Sequence, residues 1–575
     1  MCNQFIIGGL SMKNRNIFLL FMLLILSVVL VACNFGDQEK PTTNEGKSED
    51  TNTTEEQQST ETTETTETTG PKELNLAITS EPPSLHPQLA TDTTSGTILN
   101  SLFEGLTTVV DGEVIMSAAE SVDISDDLLT YTFTLRDTKW TNGDPVTAED
   151  FEYAWKWALN PENASEYASI LYPIKGAQAF NEGKGSEADL GIEVVDAKTL
   201  KVTLVNPTPY FLELTAFKTY APIHKATAEA NPEWYTDAGD DYVTNGPFKL
   251  ADWQHSASIT LEKNEDYWDA DNVALDQVNI AMVELESTLA TMFDAGEVDF
   301  VGAPFGAISL DVIDRYKSEG ILKIKDYAAL YMYKFNTTDK LMSNVNLRKA
   351  LTLAIDRQGL IDNVTKGEQK PGVSMVPSAV KGFEEDRGYY KDNDIEGAKQ
   401  ALELAMKELG VSDPSEIKIN LSFNTSEAHA TIAQYIQEGW RKNLGIDVAL
   451  DNSEWQVYLD KLSNMDYQIG RLGWIADFND AYTFLEMYNS ASNGNNDTGW
   501  ENAEYTALLE KSNAETDPEA RLDLLKQAEA IFMAEYPIAP IYYYTNLSVK
   551  KDYVSDSIEP DGLGNIYLKY VDVNK

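Results

Sequence analysis

The chain has 575 residues, 42% apolar and 10% aromatic, which is enough to bury a large core and predicts more than one domain. Its net charge of -49 argues against nucleic acid as a partner, because phosphate binding needs basic surface and this one would repel the polymer. The same acidity keeps a domain off an anionic membrane unless something tethers it.

A tether is readable at the amino terminus. Lys13 and Arg15 precede the apolar run Ile17 to Val31. As a helix that run covers roughly 22 Å, short of the ~30 Å bilayer core, so a signal peptide is favoured over a spanning helix. Leu30-Val31-Ala32-Cys33 resembles a bacterial lipobox, which implies removal of residues 1–32 and lipidation of Cys33 as the mature first residue. Met12 is an alternative translation start to Met1, since the first eleven residues add nothing a signal peptide needs. Cys2 lies in the removed part, so no disulfide is available and the core alone must stabilise the fold. Residues 33–70 follow the processing site, rich in Thr and Glu, with Phe35 as the only aromatic and no large aliphatic residue. Such a segment cannot offset its ordering entropy and is predicted to be a disordered spacer, about 35 Å long on average.

Globular patterning begins at Lys72. Leu74 to Ile78 alternates as a strand and breaks at Glu81-Pro82-Pro83. Tyr131, Phe133 and Leu135 alternate likewise, Asn142-Gly143-Asp144 is turn chemistry, and Thr147 is placed to cap a helix carrying Phe151, Ala154, Trp155 and Ala158 on one face. Leu347, Ala350, Leu351 and Ala354 share another helical face. Phe423 to Leu450 reads as strand, helix, strand, with Gly445 closing the helix.

Arg471 to Leu485, RLGWIADFNDAYTFL, sets an arginine and the carboxylates Asp477 and Asp480 in an otherwise apolar segment. A buried charge left unpaired costs several kcal/mol, so Arg471 and Asp477 face either each other or a charged ligand. Elsewhere no nucleophile elbow, zinc-binding helix motif, paired-cysteine motif or phosphate-cradling loop occurs. His86, His224, His255 and His429 are scattered without ligand spacing. No cofactor or metal is expected, and an enzyme using Asp477 and Asp480 as an acid and base pair is the weaker reading.

Arg-x-Gly-Trp-x-Ala-Asp at 471–477 resembles a signature of the bacterial extracellular solute-binding proteins of the oligopeptide-binding family. So do SEPPSLHPQLATD with SLFEGL, the block YTFTLRDTKWTNGDPVTAEDFEYAWKWAL, VTNGPFKLADW, LEKNEDYWD and YKFNTTDKLMSNVNLRKALTLAIDR, all in the family's order from Leu74 onward. The resemblance implies an α/β, two-lobed, periplasmic-binding-protein-like (type II) fold with an additional third domain and a ligand cleft between the lobes. It divides the chain into lobe one (71–103, 221–329 and 543–575), the additional domain (104–220) and lobe two (330–542). It implies that Asp477 pairs with a peptide α-ammonium, that Arg471 and His429 lie near the peptide carboxylate, and that Trp455 lines side-chain pockets. Gly473 and Trp474 belong to the same motif, Tyr167 matches a peptide-contacting tyrosine, and Thr91, Asp92 and Thr93 fall beside the ligand backbone. Plain alternatives stand for two of these: Tyr167 as packing and His429 as a capping residue.

Two departures bear on selectivity. An acidic residue common in the family is Thr91 here, and a second basic residue between Trp455 and Arg471 is Leu462, with Lys461 beside it. The function implied is that of a monomeric, lipid-anchored receptor on the outer face of a Gram-positive-type cell membrane. It would hand oligopeptides, as nutrients or pheromones, to the permease of an ABC importer. Relatives that take up nickel chelates, oligosaccharides or signalling peptides remain alternatives, as does a purely adhesive role.

Overall fold

The computed structural model describes residues 70–575. The predicted signal segment, Cys33 and nearly all of the Thr/Glu-rich spacer lie outside the described residues.

Four strands, Glu73–Ile78, Gln277–Met282, Ser258–Lys263 and Phe248–Gln254, form one sheet in that spatial order. The first pair is parallel and the others antiparallel. Its register buries Leu74 and Leu76 from the first strand and Val278 and Ile280 from the second, the period of two expected of a half-covered sheet.

A second four-stranded antiparallel sheet is built from Ala119–Ile124, Thr130–Leu135, Thr199–Thr203 and Ile192–Asp196. Tyr131, Phe133 and Leu135 point inward, into the core that also takes Phe151, Ala154, Trp155 and Ala158 from the helix Ala148–Leu159. That helix starts where its cap chemistry dictates. Asp150 Oδ2 accepts from the Thr147 backbone N–H at 2.9 Å and from its hydroxyl at 3.0 Å. The preceding turn needs Gly143 at φ +91°, where its N–H donates to the Trp140 carbonyl.

The largest sheet has the order Phe300–Gly302, Ile538–Lys550, Lys323–Phe335, Ile469–Ile475, Ile419–Asn424 and Val448–Ser453, with Lys370–Pro371 added to the second strand. Its parallel edge is the predicted strand-helix-strand unit: Ile419–Asn424 and Val448–Ser453 flank the helix Glu427–Leu444, closed by Gly445 at φ +72°. Against it pack Leu347, Ala350, Leu351 and Ala354, each at most 1% exposed, and the Trp440 indole donates to the Leu351 carbonyl at 2.8 Å.

Two strands of this sheet are long enough to serve both halves. Lys323–Asp326 pairs with Thr545–Ser548 and Leu330–Lys334 pairs with Ile538–Tyr543, with a register break between Asp326 and Leu330. On one side of the break the neighbour is Phe300–Gly302; on the other it is Ile469–Ile475. Away from these strands, two helix amino termini meet and cap one another. Glu286 accepts from the Ser426 hydroxyl and the Glu427 N–H at 2.5 and 2.9 Å, while Glu427 accepts from the Ser287 N–H and hydroxyl at 2.8 and 3.0 Å. Among the described residues no helix is long and apolar enough to cross a membrane.

Candidate functional site

Strand Ile469–Ile475 delivers its side chains to the edge of an internal cavity of about 650 Å³. The other walls come from the loop before helix Thr93–Leu102, the 164–167 and 216–218 segments, the start of helix Glu427–Leu444 and the 542–547 part of the long strand. All ten residues singled out from the sequence border this one space.

At one end lies Asp477. The strand ends at Ile475, and the Asp477 N–H turns to donate to the Thr483 hydroxyl at 3.1 Å. The carboxyl is pushed up to about 7 by burial, against the lowering influence of Lys218 and of hydrogen bonding by Tyr167 and Thr483. Its Oδ2 is buried and has no hydrogen-bond partner among the described residues. Burial also raises Glu486 nearby, to about 8, with Asp477 and Asp480 adding to the rise. Tyr167 is buried beside Asp477, its ring parallel to that of Trp474 with centroids 6.5 Å apart. The Trp474 indole is fixed by donating to the Thr483 carbonyl at 3.1 Å.

At the other end Arg471 is held by neutral oxygens. Its Nη1 donates to Asn424 Oδ1 at 3.1 Å and its Nη2 to the Tyr544 hydroxyl at 2.7 Å, and the guanidinium lies 4.7 Å from the Tyr331 ring centroid. Its Nε is buried without a hydrogen-bond partner among the described residues. Gly473 makes this possible: a Cβ there would sit 2.8 Å from the Tyr544 hydroxyl. His429 Nδ1 lies 3.3 Å from the Tyr331 hydroxyl, and burial, reinforced by the Arg471 charge, holds its imidazole well below the usual value, hence neutral.

Between the ends, the Trp455 indole donates to Asp92 Oδ2 at 3.0 Å, while Asp92 Oδ1 caps the helix through the Ser95 N–H. Asp92 is thus engaged on both oxygens. Thr91 and Thr93 flank it on the cavity wall.

An internal Arg471–Asp477 bridge does not form among the described residues. The end of the strand separates the two groups, each finding other neighbours. The acid and base pair reading fails on Asp480, whose oxygens take the Arg521 guanidinium at 2.7 and 2.9 Å. Leu462 is buried against Tyr458 and Tyr467, and Lys461 is committed to Asp451 at 2.5 Å, so no cation substitutes for the missing basic residue. The described residues contain no cluster of metal-ligating side chains.

Sequence reasoning missed Lys218, Glu486, Asn424, Tyr331 and Tyr544. No motif marks them, and only the tyrosine-rich run Tyr542-Tyr543-Tyr544 carries a compositional signal.

The sequence pattern described as "Bacterial extracellular solute-binding proteins, family 5 Middle" matches residues 113–496. The chain is 51% identical over 552 residues to the oligopeptide-binding protein OppA of Bacillus subtilis, covering 95% of this chain and 97% of that one. Haemophilus influenzae OppA in complex with RPPGFSPFR superimposes with a TM-score of 0.82 at 31% identity, over 88% of this chain and 99% of that one. The murein tripeptide binding protein MppA of Escherichia coli gives 0.83 at 30% identity over the same shares. Its unliganded open form gives 0.59 at 29% identity, over 88% and 98%.

Proposed function

The chain belongs to the bacterial extracellular solute-binding proteins of family 5, and from that premise we propose that it is a receptor that binds oligopeptides and passes them to an ABC importer. One observation carries the choice of ligand. One cavity is lined by a carboxylate with an oxygen unpartnered among the described residues and by a guanidinium whose hydrogen bonds, among those residues, all go to neutral groups. A zwitterionic chain satisfies both ends at once, whereas a chelate or a neutral sugar leaves one charge uncompensated. In this reading Asp477 takes the α-ammonium, and Arg471 with neutral His429 faces the carboxylate. Tyr167, Trp455, Trp474, Gly473 and Thr91 to Thr93 form the walls.

The lobes proposed are 71–103 with 221–329 and 543–575, and 330–542, with 104–220 as the additional domain. The register break at Asp326 to Leu330, where the two long strands change neighbours, is the natural hinge. The reciprocal caps of Glu286 and Glu427, and the Trp455–Asp92 bond, then join the lobes when closed, in keeping with TM-scores of 0.82 against a peptide complex and 0.59 against an open form.

Native mass spectrometry of the purified protein, followed by calorimetry, tests the reading. Peptides are expected to come with the protein, and tetrapeptides to bind at least as well as dipeptides, since Leu462 removes a charge that would fix the carboxylate position. Failure of every peptide to bind, with saturable uptake of another solute, would sink it.

The anchor is proposed on Leu30 to Cys33. Cys33→Ser is expected to release the protein into the medium or to leave an unprocessed precursor, read by fractionation and intact mass. Recovery of a processed form in the membrane fraction, as for the wild type, would reject lipidation there. The outer face of a Gram-positive-type membrane and a monomeric receptor complete the proposal.

A further inference from the structure

Lys218 is a cation inside the cavity with no role in the reading above. It opens the short turn Lys218–Tyr220, and its side chain runs past Gly96, where a Cβ would touch its Cδ at 3.5 Å. Its Nζ lies 4.1 Å from the Phe217 ring centroid and 4.7 Å from that of Tyr167, and it makes no ion pair or hydrogen bond among the described residues. The same Tyr167 lies beside Asp477, so the ammonium and the carboxylate share it as a neighbour.

We propose that Lys218 sets the charge preference for the first side chain of the bound peptide, favouring an acidic residue there over a basic one. The inference rests on the α-ammonium of a peptide lying at Asp477.

The argument is one of charge balance in an enclosed space. Burial lowers the Lys218 ammonium from its ordinary value, and the two carboxylates that act on it, Asp477 and Asp92, oppose that lowering. The Ser95 N–H and the Trp455 indole that bind Asp92 are neutral donors and leave its charge uncancelled, so Asp92, Asp477 and Lys218 together carry one net negative charge. With Lys218 present, the cluster has room for one further positive charge, and the α-ammonium supplies it. A first side chain of Lys or Arg brings a second cation to the neighbourhood of Lys218 and is repelled. A first side chain of Asp or Glu finds an ammonium that lies against the Phe217 and Tyr167 rings and makes no ion pair or hydrogen bond among the described residues. At the reduced effective dielectric of a partly buried site, a charge within one side chain's reach of another shifts affinity by about tenfold or more.

Three tetrapeptides that differ only in the first residue, Glu, Ala or Lys, would be titrated calorimetrically into the wild type, Lys218→Met and Lys218→Arg, each checked for folding by thermal melting. In the wild type the Glu-first peptide is expected to bind about tenfold or more tightly than the Lys-first one. Lys218→Met should erase or invert that order while still binding the Ala-first peptide, and Lys218→Arg should keep it. An unchanged ratio in Lys218→Met overturns the inference. Should Lys218→Met not fold, equal binding of the Glu-first and Lys-first peptides by the wild type overturns it equally. If none of the three binds the wild type, the peptide reading itself falls, a result distinct from an altered order.

Discussion

Asp477→Asn is expected to weaken binding of a peptide with a free amino terminus by roughly 10² to 10³-fold or more, because removing one partner of a buried ion pair costs ~3 to 5 kcal/mol. Asparagine keeps the shape and the hydrogen-bonding reach, so the loss isolates the charge. N-acetylation of the peptide should weaken wild-type binding for the same reason and matter far less in the variant, since both changes remove one interaction. Equal sensitivity to acetylation in the two proteins would exclude Asp477 as the ammonium site. The pH dependence follows with a definite sign. The Asp477 carboxyl is raised by burial from 3.8 to about 7 without ligand. Its contribution to stability is therefore full below the unfolded value and lost as pH rises through about 7. Binding runs the other way: the ammonium needs the carboxylate, so affinity should rise as pH passes upward through that range, with a proton released on binding. Calorimetry in buffers of different ionisation heat reads that proton, and it should vanish in Asp477→Asn.

What the sequence made legible is local. The cap at Thr147, the helix face of Phe151, Ala154, Trp155 and Ala158, and the stop at Gly445 depend on residues a few positions apart, and period and capping chemistry identify them. The site is different in kind. Arg471 takes its partners from two neighbouring parts of the sheet, Asn424 at the end of one strand and Tyr544 on a long central one, so they meet only through strand order. Lys218 acts on Asp477 electrostatically from a turn without pattern of its own, in Phe217-Lys218-Thr219-Tyr220. Spacing alone also misleads at Arg471 and Asp477: a continued strand would set residues 471, 473, 475 and 477 on one face, but at about 3.3 Å per residue it would hold the two charged groups roughly 20 Å apart. The strand instead ends at Ile475, and the chain folds back so that the Asp477 N–H meets Thr483. The burial that makes Asp477 a candidate for a cation arises from Tyr167, Trp474 and Glu486 closing over it, which no window of sequence contains.

Asp480→Asn should behave in the opposite way although it lies three residues from Asp477. Its two oxygens receive both terminal nitrogens of Arg521, and one also accepts from the Tyr482 N–H at 2.9 Å, tying the 477–485 turn to the helix Pro518–Glu535. Both side chains of the pair are largely buried, so the substitution leaves a guanidinium without its counter-ion. The expected loss is about 3 kcal/mol of unfolding free energy, read from denaturant or thermal midpoints of the unliganded protein. Asp477→Asn should show a smaller loss, since its Oδ2 has no hydrogen-bond partner among the described residues and Lys218 keeps the Asp92 carboxylate as a neighbour. Peptide affinity in Asp480→Asn should fall only as far as the turn loosens, and the ratio of free to acetylated peptide should stay at its wild-type value, because the charge that reads the amino terminus is untouched. A variant that melts like the wild type but no longer distinguishes the two peptides would move the ammonium site from Asp477 to Asp480 and reassign Arg521 from a strut of the turn to a partner of the ligand site.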